Sequence, residues 1–186
     1  MRATTLFGTT LSLAICIGVA TQVTQAVQLR DGTVYFVQPP NLVNVITTYK
    51  GANVWGATYY ITINLPKNAG ESLQRVTITQ REGVENIRYD LDDTRAYVGT
   101  GDSKGARLTL GSVTRDSKTR TVSVNFDPPV TPGQTITIGL RPVKNPSFSA
   151  VYLLGVTAFP VGEKSHGQFL GFGRLQFYNE GRSWFP

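Results

Sequence analysis

Sulfur and imidazole are almost missing from this chain. Its 186 residues hold one cysteine (Cys16), one methionine (Met1) and one histidine (His166). A copper site needs His, Met or Cys ligands, and a zinc site several nitrogen or sulfur ligands, so neither is expected. Calcium needs several oxygen ligands. Asp90, Asp92 and Asp93 are close together in sequence. The first and second fall in the polar phase of a strand, and the EF-hand spacing is missing, so the cluster reads as a solvated strand end. No metal and no other cofactor is expected. A lone cysteine leaves no intramolecular disulfide. A convincing helical period with caps is absent throughout.

What is present begins with residues 1–26, which read as a cleaved signal peptide. Arg2 supplies a positive n-region, residues 6–20 an apolar h-region dotted with Ser and Thr, and Thr24-Gln25-Ala26 ends in the small residue that signal peptidase requires. The apolar run is short for a membrane span, and polar Thr21 and Gln22 follow it. Cleavage is expected between Ala26 and Val27, leaving no transmembrane span in the mature chain. Cys16 lies inside the h-region, and Ile15 stands where a lipobox wants Gly or Ala. It reads as an apolar passenger rather than a lipid anchor.

Removing 26 of 186 residues leaves 160. A domain of that size buries roughly 68–70% of its unfolded surface, enough to fold without disulfides. Residues 27–186 are expected to form one domain. Loss of Arg2 reduces 18 basic residues to 17 against 12 acidic, a net charge of +5. The basic residues are scattered along the chain (Arg75, Arg81, Arg88, Arg95, Arg107, Arg115) rather than gathered in a stripe. A solvated sheet face accounts for them; the functional reading is a weak attraction to anionic lipid or acidic polysaccharide. An exported chain without a clustered stripe or a recognised motif is not expected to bind nucleic acid.

The clearest regular pattern is residues 119–143. Val122, Val124 and Phe126 alternate with polar residues, as do Ile136, Ile138 and Leu140. Period-two alternation marks half-buried strands. Pro132-Gly133 between them suits a type II turn, which predicts an antiparallel pair. Residues 55–65 carry the longest such signal, with Trp55, Ala57, Tyr59, Ile61, Ile63 and Leu65 inward. Further strands are predicted over 34–37, 74–81 (Val76 and Ile78 inward), 86–92 (Ile87, Tyr89 and Leu91 on one face) and 173–178, with another marked by Leu108 and Leu110; 42–49 is a weaker β-branched stretch, and the short 96–98 run interrupts the polar segment that follows 86–92. A polar segment is expected over 92–105. Residues 150–159 are apolar in both phases, as in a strand covered on both faces. Short strands punctuated by Pro and Gly predict an all-β fold, an immunoglobulin-like antiparallel β-sandwich preceded by the signal peptide.

The candidate functional segment is residues 162–173, GEKSHGQFLGFG, read as a Gly-rich ligand or partner loop with a small polar site built from Ser165, His166, Gln168 and Arg174. The plainer reading makes it a loop in which Phe169, Leu170 and Phe172 cap the core. Hydrolase chemistry is poorly supported: neighbours on an extended chain point apart, so Ser165 and His166 do not form a nucleophile–base pair. Glu163 also stands where a nucleophile elbow needs Gly. The chain is not expected to be an enzyme. Most aromatics fall in the apolar phase and are assigned to core. Tyr60 and Tyr178 are the exposed exceptions, too few to define a glycan site.

The segments DGTVYFVQPP (31–40), NVWGATYYITINLPKNAGESLQRVTITQREG (53–83), KTRTVSVNFDPPVTPGQTITIGLRPVKNP (118–146) and GEKSHGQFLGFGRLQFY (162–178) together resemble an uncharacterised family of exported cyanobacterial proteins, a domain of unknown function. The resemblance spans nearly the whole mature chain. It implies export to the periplasm, the cell envelope or exterior, or the thylakoid lumen, and it implies no activity. A looser similarity is to exported copper-handling sandwiches, through Leu65-Pro66, Gly70-Glu71 and the 128–133 segment. The Met and His ligands of those proteins are missing here, so that similarity implies fold alone. The combined reading is a non-catalytic envelope binding or structural module with an envelope protein or polysaccharide as partner. A periplasmic metal-handling sandwich and an envelope hydrolase are the alternatives.

Overall fold

The computed structural model describes residues 31–179, together with the backbone of Val27–Gln28. The predicted signal peptide and Ala26 lie outside the described residues. The strands are β1 (Val27–Gln28), β2 (Thr33–Tyr35), β3 (Asn41–Thr47), β4 (Tyr59–Asn64), β5 (Leu73–Glu82), β6 (Tyr89–Gly99), β7 (Lys104–Leu108), β8 (Leu110–Asp116), β9 (Thr121–Val130), β10 (Thr135–Pro142), β11 (Val151–Pro160), β12 (Lys164–Ser165) and β13 (Gln168–Gln176). No helix occurs among the described residues, and so none is long and apolar enough to cross a membrane.

Two five-stranded antiparallel sheets, in the orders β3-β4-β10-β6-β7 and β13-β11-β5-β9-β8, form the predicted all-β sandwich. A small third sheet, β1-β2-β12, adds β12 parallel to β2 at one end. The core lies between the two large sheets. Ile61, Ile63, Ile136, Ile138 and Leu140 from one face Val76, Val124, Phe126, Leu154 and Val156 from the other, all fully buried. Each such side chain contributes about 1.5–3 kcal/mol of transfer free energy. The alternating residues do in space what their period requires.

The 119–143 unit corrects the sequence-based expectation. β9 and β10 do not pair. β9 lies between β5 and β8, and β10 between β4 and β6, in the opposite sheet. The 131–134 connection therefore crosses between layers. Gly133 has φ +88° as the turn demands, and its N–H donates to the Leu65 carbonyl of the neighbouring connection at 2.9 Å. Alternation reports which face is buried but not which partner the backbone takes, so a crossover and a hairpin read alike.

Two further expectations change. Trp55 precedes β4 and is 67% exposed, whereas the rest of its predicted phase, Ala57 to Leu65, is fully buried. The polar 92–105 segment is largely strand: β6 runs unbroken to Gly99. Against β10 it carries a bulge, since Gly139 faces Arg95 and Arg141 faces Asp90. Two steps on β10 thus match five on β6. The bulge reverses the inward phase from Tyr89 and Leu91 to Thr94 and Ala96, which hides the strand from a period-two reading. Residues 150–159 form β11, flanked by β13 and β5. Its even-numbered residues are fully buried in the core, while Val151, Leu153 and Phe159 on the outer face are half-buried. The guanidinium of Arg75 lies 4.1 Å from the Phe159 ring centroid, covering part of that outer face.

Candidate functional site

The predicted loop is mostly strand. Lys164–Ser165 is β12, and residues from Gln168 onward form edge strand β13. His166 is exposed, its ring stacked on Tyr35 at 4.6 Å, and its backbone N–H donates to the Val34 carbonyl at 2.9 Å. Ser165 is half-buried beside Val34. Gln168 opposes Ala158 and Arg174 opposes Leu153, at opposite ends of the β11–β13 ladder. At about 3.3 Å per residue they are roughly 20 Å apart. Ser165, His166 and Gln168 are near neighbours, and Arg174 does not join them. It lines a separate cleft at the β3–β13 edge with Ile46, Lys50 and Tyr178. Phe169 and Phe172 are exposed (46% and 56%) and do not cap the core, whereas Leu170 packs partly against it. Among the described residues, no three His, Cys, Asp or Glu side chains converge as a metal site would need.

A different constellation is assembled on the outer face of the β3-β4-β10-β6-β7 sheet. β10 is the central strand, and its outward residues are Thr137, Gly139, Arg141 and, just past its end, Val143. Around Gly139 lies a hollow of about 200 Å³, lined by Thr58, Tyr60, Tyr97, Lys104 and Arg141. The missing side chain of Gly139 makes room for it: a β-carbon there would stand 3.2 Å from the Tyr60 ring. Tyr60 and Tyr97 meet edge to face, with centroids 6.5 Å apart. The Lys104 ammonium lies 5.0 and 5.1 Å from their two centroids, and donates to the Tyr60 hydroxyl at 3.3 Å. That hydrogen bond, with the nearby phenols, holds the Lys104 pKa above the usual lysine value. Tyr97 is pushed up by burial, so the pair presents a cation and a protonated phenol at neutral pH. The Tyr97 hydroxyl is shielded from water and has no hydrogen-bond partner.

The β6 bulge supplies the other wall. It returns the Asp93 carboxylate over the sheet, where it pairs with Arg95 at 2.9 Å and with Arg141 at 2.5 Å. Arg95 is otherwise occupied by the carbonyls of Asp92 and Thr94, so its role is to hold the bulge. Arg141 uses one terminal nitrogen on Asp93, and its side chain is 49% exposed. The same Arg141 lines an adjoining hollow with Trp55, Asp90 and Val143. Three cations against Asp93 leave the Gly139 hollow with a charge of +2. The sequence contained each of these residues but no signal joining them. They come from β4, β6, β7 and β10, and the bulge that places Asp93 is invisible to strand periodicity.

No curated protein matches the chain. Among solved structures, it is similar to a collagen-binding domain from a Staphylococcus aureus adhesin, at 12% identity over 74% of this chain and 98% of that chain, with a TM-score of 0.37. It is similar to the collagen binding subdomain of the Enterococcus faecalis surface protein ACE, at 7% identity over 71% and 95%, with a TM-score of 0.40. A third similarity is to the C-terminal domain of the Streptococcus pyogenes antigen I/II-family protein AspA, at 12% identity over 72% of this chain and 46% of that chain, with a TM-score of 0.43. The chain thus spans about half the length of that last protein. The family described as "Protein of unknown function (DUF2808)" matches residues 33–177, and the chain belongs to it.

Proposed function

We propose that this domain is a non-catalytic binding module, exported to the envelope of a cyanobacterial cell, and that it meets its ligand with the outer face of the β3-β4-β10-β6-β7 sheet. The observation that carries the proposal is the pair of hollows joined by Arg141, one walled by Tyr60, Tyr97 and Lys104 and the other by Trp55. Cations and aromatic rings lining open hollows form a recognition surface. Nothing in that group is arranged as a nucleophile with its base. Ser165 and His166, the residues a hydrolase reading would use, stand on the small third sheet and beside it, and among the described residues no carboxylate is bonded to the imidazole.

A photo-crosslinking residue at position 58, beside the Gly139 hollow, tests the proposal in intact cells, with the same residue at position 118 in the β8–β9 turn as control. Adducts concentrated at position 58 support the binding face. Equal labelling at both positions overturns it. Hydrolysis of envelope material that disappears in Ser165→Ala or His166→Ala overturns the non-catalytic assignment.

A further inference from the structure

We infer that the ligand of this face is an acidic polysaccharide, with an anionic group held between Lys104 and Arg141 and a neighbouring sugar ring stacked on Trp55. The inference rests on the outer face being the binding surface and names what it binds.

Four observations select this class. The free donors in the Gly139 hollow are cationic and unequal in shape: an ammonium over two phenol rings and a guanidinium with an unused edge. An ammonium acts as a point charge and a guanidinium as a planar fork, a combination suited to a carboxylate or sulfate. Thr58, Tyr60 and Tyr97, each bearing a hydroxyl, line the same hollow. A lining that mixes aromatic rings with hydroxyl-bearing side chains suits the ring faces and hydroxyls of a sugar.

The two hollows lie in line along β10, both open to solvent. From Gly139 to Val143 is four residues, about 13 Å of strand. A small molecule is usually enclosed by its pocket over most of its surface; an open trough of this length suits a stretch of polymer. Finally, β10 is hydrogen-bonded on both edges, to β4 and β6. β10, the strand that carries both hollows, therefore has no free backbone edge to add a peptide strand. Recognition over β10 runs through side chains, by charge and stacking, and the basic surplus of the whole chain favours approach of a polyanion.

The test is calorimetric titration of the full chain with alginate oligosaccharides, dextran sulfate, neutral dextran and phosphatidylglycerol vesicles at low salt. Binding of alginate or dextran sulfate is expected, weakening with added salt; the stronger of the two identifies carboxylate or sulfate as the preferred group. Lys104→Gln and Arg141→Gln should each weaken it about tenfold, as loss of a charge-assisted hydrogen bond does. Trp55→Ala should weaken it roughly fivefold. Lys118→Gln in the remote β8–β9 turn should leave it unchanged. All four positions lie at the surface, and unaltered melting temperatures establish that the variants fold. An equal loss in Lys118→Gln would mean diffuse charge attraction and would overturn the site. Neutral dextran bound as tightly as alginate, with Trp55→Ala sensitivity, would overturn the anionic class while leaving the binding face intact. Binding confined to vesicles would assign the face to lipid and overturn the polysaccharide. No binding to any probe, with position-58 adducts still formed in cells, would overturn the ligand class alone; no adducts either would overturn both readings.

Discussion

The phenol of Tyr59 donates a 2.9 Å hydrogen bond to Oδ1 of Asn145, 86 residues further along the chain and fully buried. The Asn145 amide in turn donates to the carbonyls of Tyr49 and Gly51 at 3.0 and 2.9 Å. One side chain thereby ties the end of β4's sheet to two loop carbonyls. All its polar atoms have partners inside the core, where an orphaned group is expensive.

Asn145→Ala should therefore be severe. It strands the Tyr59 hydroxyl and the Gly51 carbonyl, whereas the Tyr49 carbonyl keeps the Thr47 hydroxyl at 2.9 Å; at roughly 1–3 kcal/mol for each stranded group, a total loss of at least about 2 kcal/mol is expected. Tyr59→Phe strands one group, Oδ1 of Asn145, and should cost less than Asn145→Ala, roughly 1–3 kcal/mol. Urea midpoints of the two variants check the order; a Tyr59→Phe loss as large as that of Asn145→Ala would contradict it.

The edge between β3 and β13 is closed by a glycine. A β-carbon at Gly173 would overlap Cβ and Cγ2 of Val45. Val45 is β-branched and stiff at χ1, so it has little freedom to move aside. Gly173→Ala is expected to destabilise the domain by about 1–3 kcal/mol, as overpacking does. Faster amide exchange in β3 and β13 than in β9 would locate the damage at that seam.

Stability should fall in alkali. Burial raises the pKa of Tyr59, Tyr89 and Tyr152 above the unfolded value of 10.0. The fold thus favours the protonated phenols. Their contribution is fully present below pH 10 and is lost as pH rises through the folded-state values. Urea midpoints should drop between neutral pH and about pH 11, and phenolate absorbance from these three residues should appear together with unfolding. Full phenolate absorbance in the native state would contradict this.

His166→Ala removes an exposed stack on Tyr35. Such a pair contributes about 0.5–1.5 kcal/mol, so a modest drop in melting temperature is expected, with no change in acidic-glycan binding. A loss of binding comparable to that of Arg141→Gln would move the functional face to the small third sheet.

Much of the sandwich was written locally. Val76, Val124, Ile136 and Leu154 point inward because a strand of period two exposes one face to water, and an apolar face minimises its free energy by leaving it. The low count of Cys, Met and His in turn bounds which metals the side chains can hold. The partners of the strands were a different matter. β9 and β10 look like a hairpin in sequence and lie in opposite sheets, because alternation encodes burial and is silent on hydrogen-bond pairing. Ser165, His166, Gln168 and Arg174 were grouped by nearness in sequence, and an extended strand spreads that nearness over roughly 20 Å. Tyr60, Tyr97, Lys104 and Arg141 come from four strands and meet only because β10 brings β4 and β6 to its two sides. The three extra residues of the β6 bulge then turn Asp93 back onto Arg141. Local sequence chose the buried face of each strand, and long-range pairing chose which polar residues the opposite face would bring together.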